Sequence, residues 1–259
     1  MGYETILVAD DGATRTITLN RPERRNAMTP AMQTELIAAM AEAAASPCRV
    51  LVLRGAGDAF CSGLDLTALQ AMNDKSAADH RVDAERIAKL FRALHDLPKP
   101  TIAAVHGAAI AGGTGLATIC DFTLAVPTAK FGYTEARIGF VPALVSAFLA
   151  LQIGDKRARD LLLTGRLFDA SEAYRLGLVN EVVAPESLDE RVEALARILA
   201  ANSPESLAAT KRLLTAQNKA WLDAAIAQAM EANAQARETE DFREGIAAFL
   251  EKRKPRWAK

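Results

Sequence analysis

Two stretches decide the fold: Gly57-Asp58-Ala59-Phe60-Cys61-Ser62-Gly63-Leu64-Asp65-Leu66 and Val105-His106-Gly107-Ala108-Ala109-Ile110-Ala111-Gly112-Gly113-Thr114-Gly115. Each follows a short apolar run, Val-Leu-Val-Leu over 50–53 and Ile-Ala-Ala-Val over 102–105. Continuous apolar runs of this length read as strands buried on both faces, as in parallel sheets. A glycine-rich turn at the carboxyl end of a parallel strand is where ligands of α/β folds sit, because glycine lets the backbone approach closely. The second turn leads into a helix over 114–119, whose positive end faces the same ligand. Two backbone N–H groups converging on one oxygen make an oxyanion hole. Neither stretch fits a dinucleotide GxGxxG or a phosphate-binding GxxxxGK[ST] pattern.

Working outward, 6–9 and 14–19 read as a hairpin about Asp10-Asp11-Gly12. Residues 30–45 form a helix with Thr29 as N-cap, Pro30 in its first turn, and Met32, Leu36, Met40 and Ala43 on one face. A helix over 77–97 ends at Pro98-Lys99-Pro100, and a strand over 122–125 follows the second glycine loop. After about residue 143 the pattern is nearly all helical. Ser171 caps a helix over 171–176, and further helices span 188–200, 204–216 and 220–236. The last helix sets Phe242, Ile246, Phe249 and Leu250 on one stripe. This divides the chain into an α/β core over 1–190 and a helical region over 191–259.

The composition narrows the function classes. The chain has 259 residues, a net charge of −1 and 50% hydrophobic residues. That is enough for a full core and gives no basic footprint for nucleic acid. No run of about 20 apolar residues exists, so no transmembrane helix is expected, nor is a signal peptide. Cys48, Cys61 and Cys120 are too few and scattered for a disulfide framework or a metal cluster, which points to a reducing, cytoplasmic compartment. Cys61 has no histidine in a pairing motif, since His80, His95 and His106 are scattered, so it reads as a packing residue.

The two glycine loops resemble the oxyanion loops of the enoyl-CoA hydratase/isomerase (crotonase) family, and the other motifs follow in order. Arg21-Pro22-Glu23-Arg24-Arg25-Asn26-Ala27-Met28 is similar to the loop that wraps coenzyme A. Phe131-Gly132-Tyr133-Thr134-Glu135-Ala136-Arg137-Ile138-Gly139 is similar to the segment carrying a catalytic glutamate, and the tail from Asp241 to Arg253 is also of the family's type. The resemblance implies a spiral of ββα units with a C-terminal helical region. It implies an acyl-CoA substrate without a separate cofactor, and a homotrimer or homohexamer assembled through the tail. It also implies oxyanion donors at Leu64 and Gly112, a catalytic Glu135, and coenzyme contacts at Arg25, Ala27, Asp65 and Leu66.

One position departs from the pattern. Hydratases of the family commonly carry a second glutamate three residues after the oxyanion glycine, and here that position is Gly115. Asp65 sits beside an oxyanion donor and reads as a brace for the loop. A single carboxylate suffices to move a proton between carbons, so the chemistry of Glu135 alone leans to double-bond isomerisation. The wider resemblance leans to hydration of a 2-enoyl thioester, which is the reading favoured here. A weakly catalytic relative that binds coenzyme A or RNA is the alternative from another class.

Overall fold

Residues 2–258 are described in the computed structural model of this chain. Asp10 and Asp11 belong to the first strand, and the turn lies one step later than the Asp-Asp-Gly signal suggests. β1 (Ile6–Asp11) pairs antiparallel with β2 (Thr14–Leu19) in a register that sets Asp10 opposite Arg15. The Arg15 guanidinium pairs with the Asp10 carboxylate at 2.7 Å, which favours strand over turn for that residue. Gly12, at φ +54, carries the reversal.

From there the chain alternates between two sheets. α1 (Pro30–Ala45) starts at Thr29, whose side chain accepts from the Met32 N–H, and buries Met32, Leu36, Met40 and Ala43. β3 (Val50–Gly55) enters the large sheet, β4 (Ala59–Cys61) the small one, and α2 (Leu66–Gln70) and α3 (Ala77–His95) follow. The step repeats with β5 (Thr101–Val105), β6 (Ala108–Ile110) and α4 (Gly112–Ile119). It repeats again with β7 (Phe122–Ala125), β8 (Lys130–Gly132) and α5 (Ala143–Ile153). The large sheet runs β1-β2-β3-β5-β7-β10, parallel apart from the β1–β2 hairpin. The small sheet runs β4-β6-β8-β9, with β4, β6 and β8 parallel. This is the ββα spiral expected from the motif order. The single parallel sheet suggested by the apolar runs becomes two, because each glycine turn throws a second, three-residue strand out of the first sheet.

The later elements are α6 (Asp155–Thr164), β9 (Leu167–Asp169), α7 (Ala170–Leu176), β10 (Glu181–Val182), α8 (Leu188–Ala201), α9 (Pro204–Ala236) and α10 (Glu240–Leu250). Three details differ from the sequence expectation. Asp169, not Ser171, caps α7 by accepting from the Glu172 N–H. Residues 204–236 form one helix, since Gln217-Asn218-Lys219 contains no glycine or proline to break it. And the stripe on α10 splits: Phe242 and Ile246 are buried against Leu69 and Phe140, whereas Phe249 and Leu250 stay exposed. Burying such a side chain is worth about 1.5–3 kcal/mol, so α10 is fastened by this pair. α9 packs along α3 and α5, which brings its last turns beside the functional cavity.

Among the described residues no helix is long and apolar enough to cross a membrane. All three cysteines are free and buried.

Candidate active site

The small sheet builds the site. β4, β6 and β8 are parallel neighbours, so their carboxyl ends lie side by side. Leu64 comes three residues after β4, Gly112 two after β6, and Glu135 three after β8. Three motifs that span 71 positions of chain from Leu64 to Glu135 are thereby gathered at one edge. They line a common cavity of about 250 Å³ with Arg25, Ser62, Leu66, Phe91 and Val145.

The loop after β4 is held so that Leu64 faces this cavity. The Met28 N–H donates to the Gly63 carbonyl at 2.8 Å, and the Asp65 N–H donates to the Met28 carbonyl at 3.0 Å. That parallel bridge uses the groups on either side of Leu64 and turns its own N–H the other way. The loop after β6 turns at Ala111, a non-glycine residue at φ 53 whose N–H donates to the Gly132 carbonyl at 2.6 Å. Such a conformation costs on the order of 1–3 kcal/mol and persists only where its surroundings fix it. Here it frees the first N–H of α4. Among the described residues, neither the Leu64 N–H nor the Gly112 N–H has an acceptor within the chain. The two loops touch: a Cβ on Gly63, at φ +89, would lie 2.9 Å from the Ile110 carbonyl oxygen and 3.6 Å from the Gly112 nitrogen.

Glu135 opens the short turn Glu135–Ile138 after β8 and is buried. Its Oε2 has no hydrogen-bond partner among the described residues. Burial pushes its pKa up to about 7, with a backbone hydrogen bond opposing the shift. A carboxyl group poised near neutrality in a cavity is suited to moving protons.

Of the residues expected to hold coenzyme A, Arg25 and Leu66 line this cavity, and Ala27 and Asp65 are not among its lining residues. The Asp65 carboxylate is committed within the chain. It caps α2 by accepting from the Thr67 and Ala68 N–H groups and pairs with Arg21 at 3.0 Å. The Ala27 carbonyl accepts from the same arginine. Arg21 thereby links the Ala27 carbonyl to the Asp65 carboxylate across the two loops. Cys61 donates to the Asn26 carbonyl, and burial pushes its thiol up to about 12, so it packs as expected. His106 meets the Gly57 carbonyl at 2.8 Å.

Sequence reasoning gave Asn26 no role, yet it ties the site together. It is fully buried at φ 55; its Oδ1 accepts from the Arg21 N–H and its Nδ2 donates to the carbonyls of Ala56, Ala59 and Phe60. One short amide thus joins the wrapping loop to β4. The signal was present as an Asn inside a loop motif, a residue that tolerates the left-handed region and bonds nearby backbone.

A crotonase-type spiral with two open N–H groups and a buried carboxyl in one cavity defines a class of protein, and comparison with known proteins gives the family. The sequence profile of the enoyl-CoA hydratase/isomerase family matches residues 11–259. A Thermus thermophilus protein named as an enoyl-CoA hydratase is 45% identical over 249 residues, covering 96% of this chain and 98% of its own. The crotonyl-CoA hydratase of Syntrophomonas wolfei is 33% identical over 257 residues, covering 98% of each. The crystal structure of an enoyl-CoA hydratase/isomerase from Xanthobacter autotrophicus Py2 superposes with a TM-score of 0.89 at 32% identity, covering 97% of both chains. The chain belongs to the enoyl-CoA hydratase/isomerase family.

Proposed function

We propose that this protein is an enoyl-CoA hydratase in which Glu135 is the sole acid/base carboxylate. The observation that supports this reading is the buried Glu135 oxygen, without a partner among the described residues, in a cavity also lined by Leu64 and Gly112, whose N–H groups have no acceptor there. The thioester carbonyl oxygen of a 2-enoyl-CoA accepts from both N–H groups. Ionised Glu135 takes a proton from water as the water oxygen bonds to C3. The double-bond electrons move toward the thioester oxygen, where the enolate charge is stabilised. Glu135 then returns the proton to C2, leaving a 3-hydroxyacyl-CoA and an unchanged carboxylate. The reading assigns Arg25 and Leu66, which line the cavity, to the coenzyme, and coenzyme A is part of the substrate, so it needs no separate cofactor. The test is the loss of conjugated enoyl absorbance when the protein meets crotonyl-CoA; a protein that binds the thioester and leaves it unchanged for hours contradicts the reading.

The pH dependence follows from the same group. The carboxylate must be ionised to accept the proton of water, and its pKa is about 7. kcat/KM should therefore rise as pH increases through about 7 and level off above it. A profile already flat at pH 5 would place the essential base elsewhere.

Isomerisation is kept as a second reading because of Gly115. A Cβ there would lie 2.7 Å from Val145 Cγ1 and 3.3 Å from Phe91 Cζ. The place of a second glutamate is filled by apolar side chains. Gly115→Glu should destabilise the fold by about 2 kcal/mol or more, through overpacking and a buried charge. It should not raise the hydration rate; a melting temperature equal to that of the wild type would contradict this packing account. If isomerisation is the reaction, 3-enoyl thioesters gain conjugated absorbance while crotonyl-CoA loses none.

The assembly proposed is a homotrimer or homohexamer. Leu213, Leu214 and Trp221 on α9 and Leu163 on α6 are at least half exposed on the single chain, with Trp221 at the low end, 50% exposed. Large apolar side chains exposed along α9 and on α6 are what an interface between copies would bury. Sedimentation should show an oligomer at micromolar concentration, and a monomer there would rule it out. The free, buried cysteines suit a reducing compartment such as the cytoplasm.

A further inference from the structure

The cavity that holds Glu135 is walled mainly by apolar side chains, and its polar lining groups are few: Arg25, Ser62, Thr134, Glu135 and Asn233. The first four belong to the coenzyme mouth and to the reacting centre. Asn233, from the last turns of α9, has no part in either. It is buried, and its Oδ1 accepts twice from Arg237, from Nε at 3.3 Å and from Nη2 at 3.1 Å. An arginine only donates, so this pair fixes which end of the Asn233 amide is oxygen. The Nδ2 group, a donor, is then what Asn233 offers to the cavity.

Arg237 itself is 0% exposed and lies over the Phe140 ring at 5.7 Å, Phe140 being another wall of the cavity. Its Nη2 pairs with Asp83 at 2.5 Å, and its Nη1 has no partner among the described residues. Asp83 is shared with Arg86. Two guanidiniums share one carboxylate, and only Arg237 of the two is fully buried, so Asp83 does not fully offset the buried Arg237 charge. A buried charge without a full partner is costly, and a family fold that needed only a hydrocarbon pocket gains nothing from it. The cost is recovered if the bound ligand supplies acceptor oxygen.

Resting on the acyl-CoA reading above, we infer that Asn233, held in place by Arg237, is a specificity residue: the cavity takes acyl groups whose far end carries an acceptor oxygen, a terminal carboxylate above all. The Nδ2 group donates to that oxygen, and the incompletely offset Arg237 charge behind it favours an anion. A purely hydrocarbon acyl chain leaves the amide unpaired, and sites built to hydrogen-bond a group discriminate strongly against analogues that lack it.

The test reads binding by calorimetry on the full chain, with saturated thioesters in matched pairs: glutaryl-CoA against pentanoyl-CoA, and adipoyl-CoA against hexanoyl-CoA. The wild type should bind the carboxylated member at least about tenfold more tightly in one of the pairs, the worth of a hydrogen bond to a charged group. Asn233→Asp keeps the acceptor that Arg237 needs while replacing the donor by a like charge, so the preference should reverse. A loss of folding would not produce a reversal. Equal or weaker binding of the carboxylated member in both pairs, or a preference that survives Asn233→Asp, overturns the inference. If that variant does not fold, the wild-type ratios decide alone. Because nothing is turned over, these results stand apart from the hydratase reading, whose failure shows as unchanged absorbance with 2-enoyl thioesters.

Discussion

Glu135→Gln should lower kcat on the preferred enoyl thioester by about 10²–10⁴-fold, the usual worth of a general acid/base group, while acyl-CoA affinity changes little. Glutamine keeps the size and the backbone contacts of Glu135, and in the proposed site the thioester is held by main-chain donors and the loop around Arg25. No second carboxylate stands in reserve: Gly115 occupies the other position, and Asp65 is bound to Arg21 and the start of α2. The same substitution should change how stability depends on pH. Burial raises the folded-state pKa to about 7 from an ordinary value of 4.5. Between those limits the native state binds the proton more tightly than the unfolded chain, so stability falls as pH rises through that window and is flat above it. The amide that replaces the carboxyl group has no proton to lose, and urea denaturation of the variant should lack that slope. A variant that turns over at the wild-type rate would mean that the proton is carried by another group.

Gly63→Ala should cost about 10²–10³-fold in kcat/KM, the typical loss on removing one oxyanion donor. In the proposed site Leu64 and Gly112 act through backbone N–H groups, so deleting their side chains would not test them. Gly63 offers a way in. At φ +89 an alanine is strained, and its Cβ would press on the Ile110 carbonyl and on Ala111 at 2.9 and 3.0 Å. Relief comes by moving the loop after β4 away from the loop after β6, which separates the two donors. The strain itself is worth roughly 1–2 kcal/mol, so the variant should still fold. Steady-state kinetics beside a thermal melt separate the effects. A folded Gly63→Ala protein with wild-type kcat/KM would dissociate the loop geometry from catalysis.

The parts of this site legible in the sequence are those where chemistry demands unusual residues. Gly63 and Gly112 sit at a left-handed turn and at a close approach between loops, positions where other residues meet backbone or side-chain atoms. Glu135 stood out through its flanking motif. The three-residue strands β4, β6 and β8 did not, because three residues are too few for alternation to show, yet they are what brings Leu64, Gly112 and Glu135 to one edge. The continuity of α9 was missed where Ala216 and Ala220 flank a polar tripeptide that reads as a loop and is simply an exposed stretch of helix. Asn233 and Arg237 escaped for the opposite reason. A polar pair spaced i, i+4 near a helix end reads as a solvated face, and only the packing of α9 beside α3 makes it a buried one. The filling of the Gly115 site depends on Phe91 and Val145, which come from helices on either side of it in sequence.

The central claim is that one thioester oxygen lies between the Leu64 and Gly112 N–H groups with Glu135 beside the acyl carbons. A crystal structure of the protein with acetoacetyl-CoA measures this directly. The account predicts the thioester oxygen roughly 2.7–3.1 Å from both nitrogens, with the Glu135 carboxyl against the carbons next to the carbonyl. A thioester bound with its oxygen turned away from either nitrogen, or an acyl group lodged outside the cavity of Glu135, would contradict it.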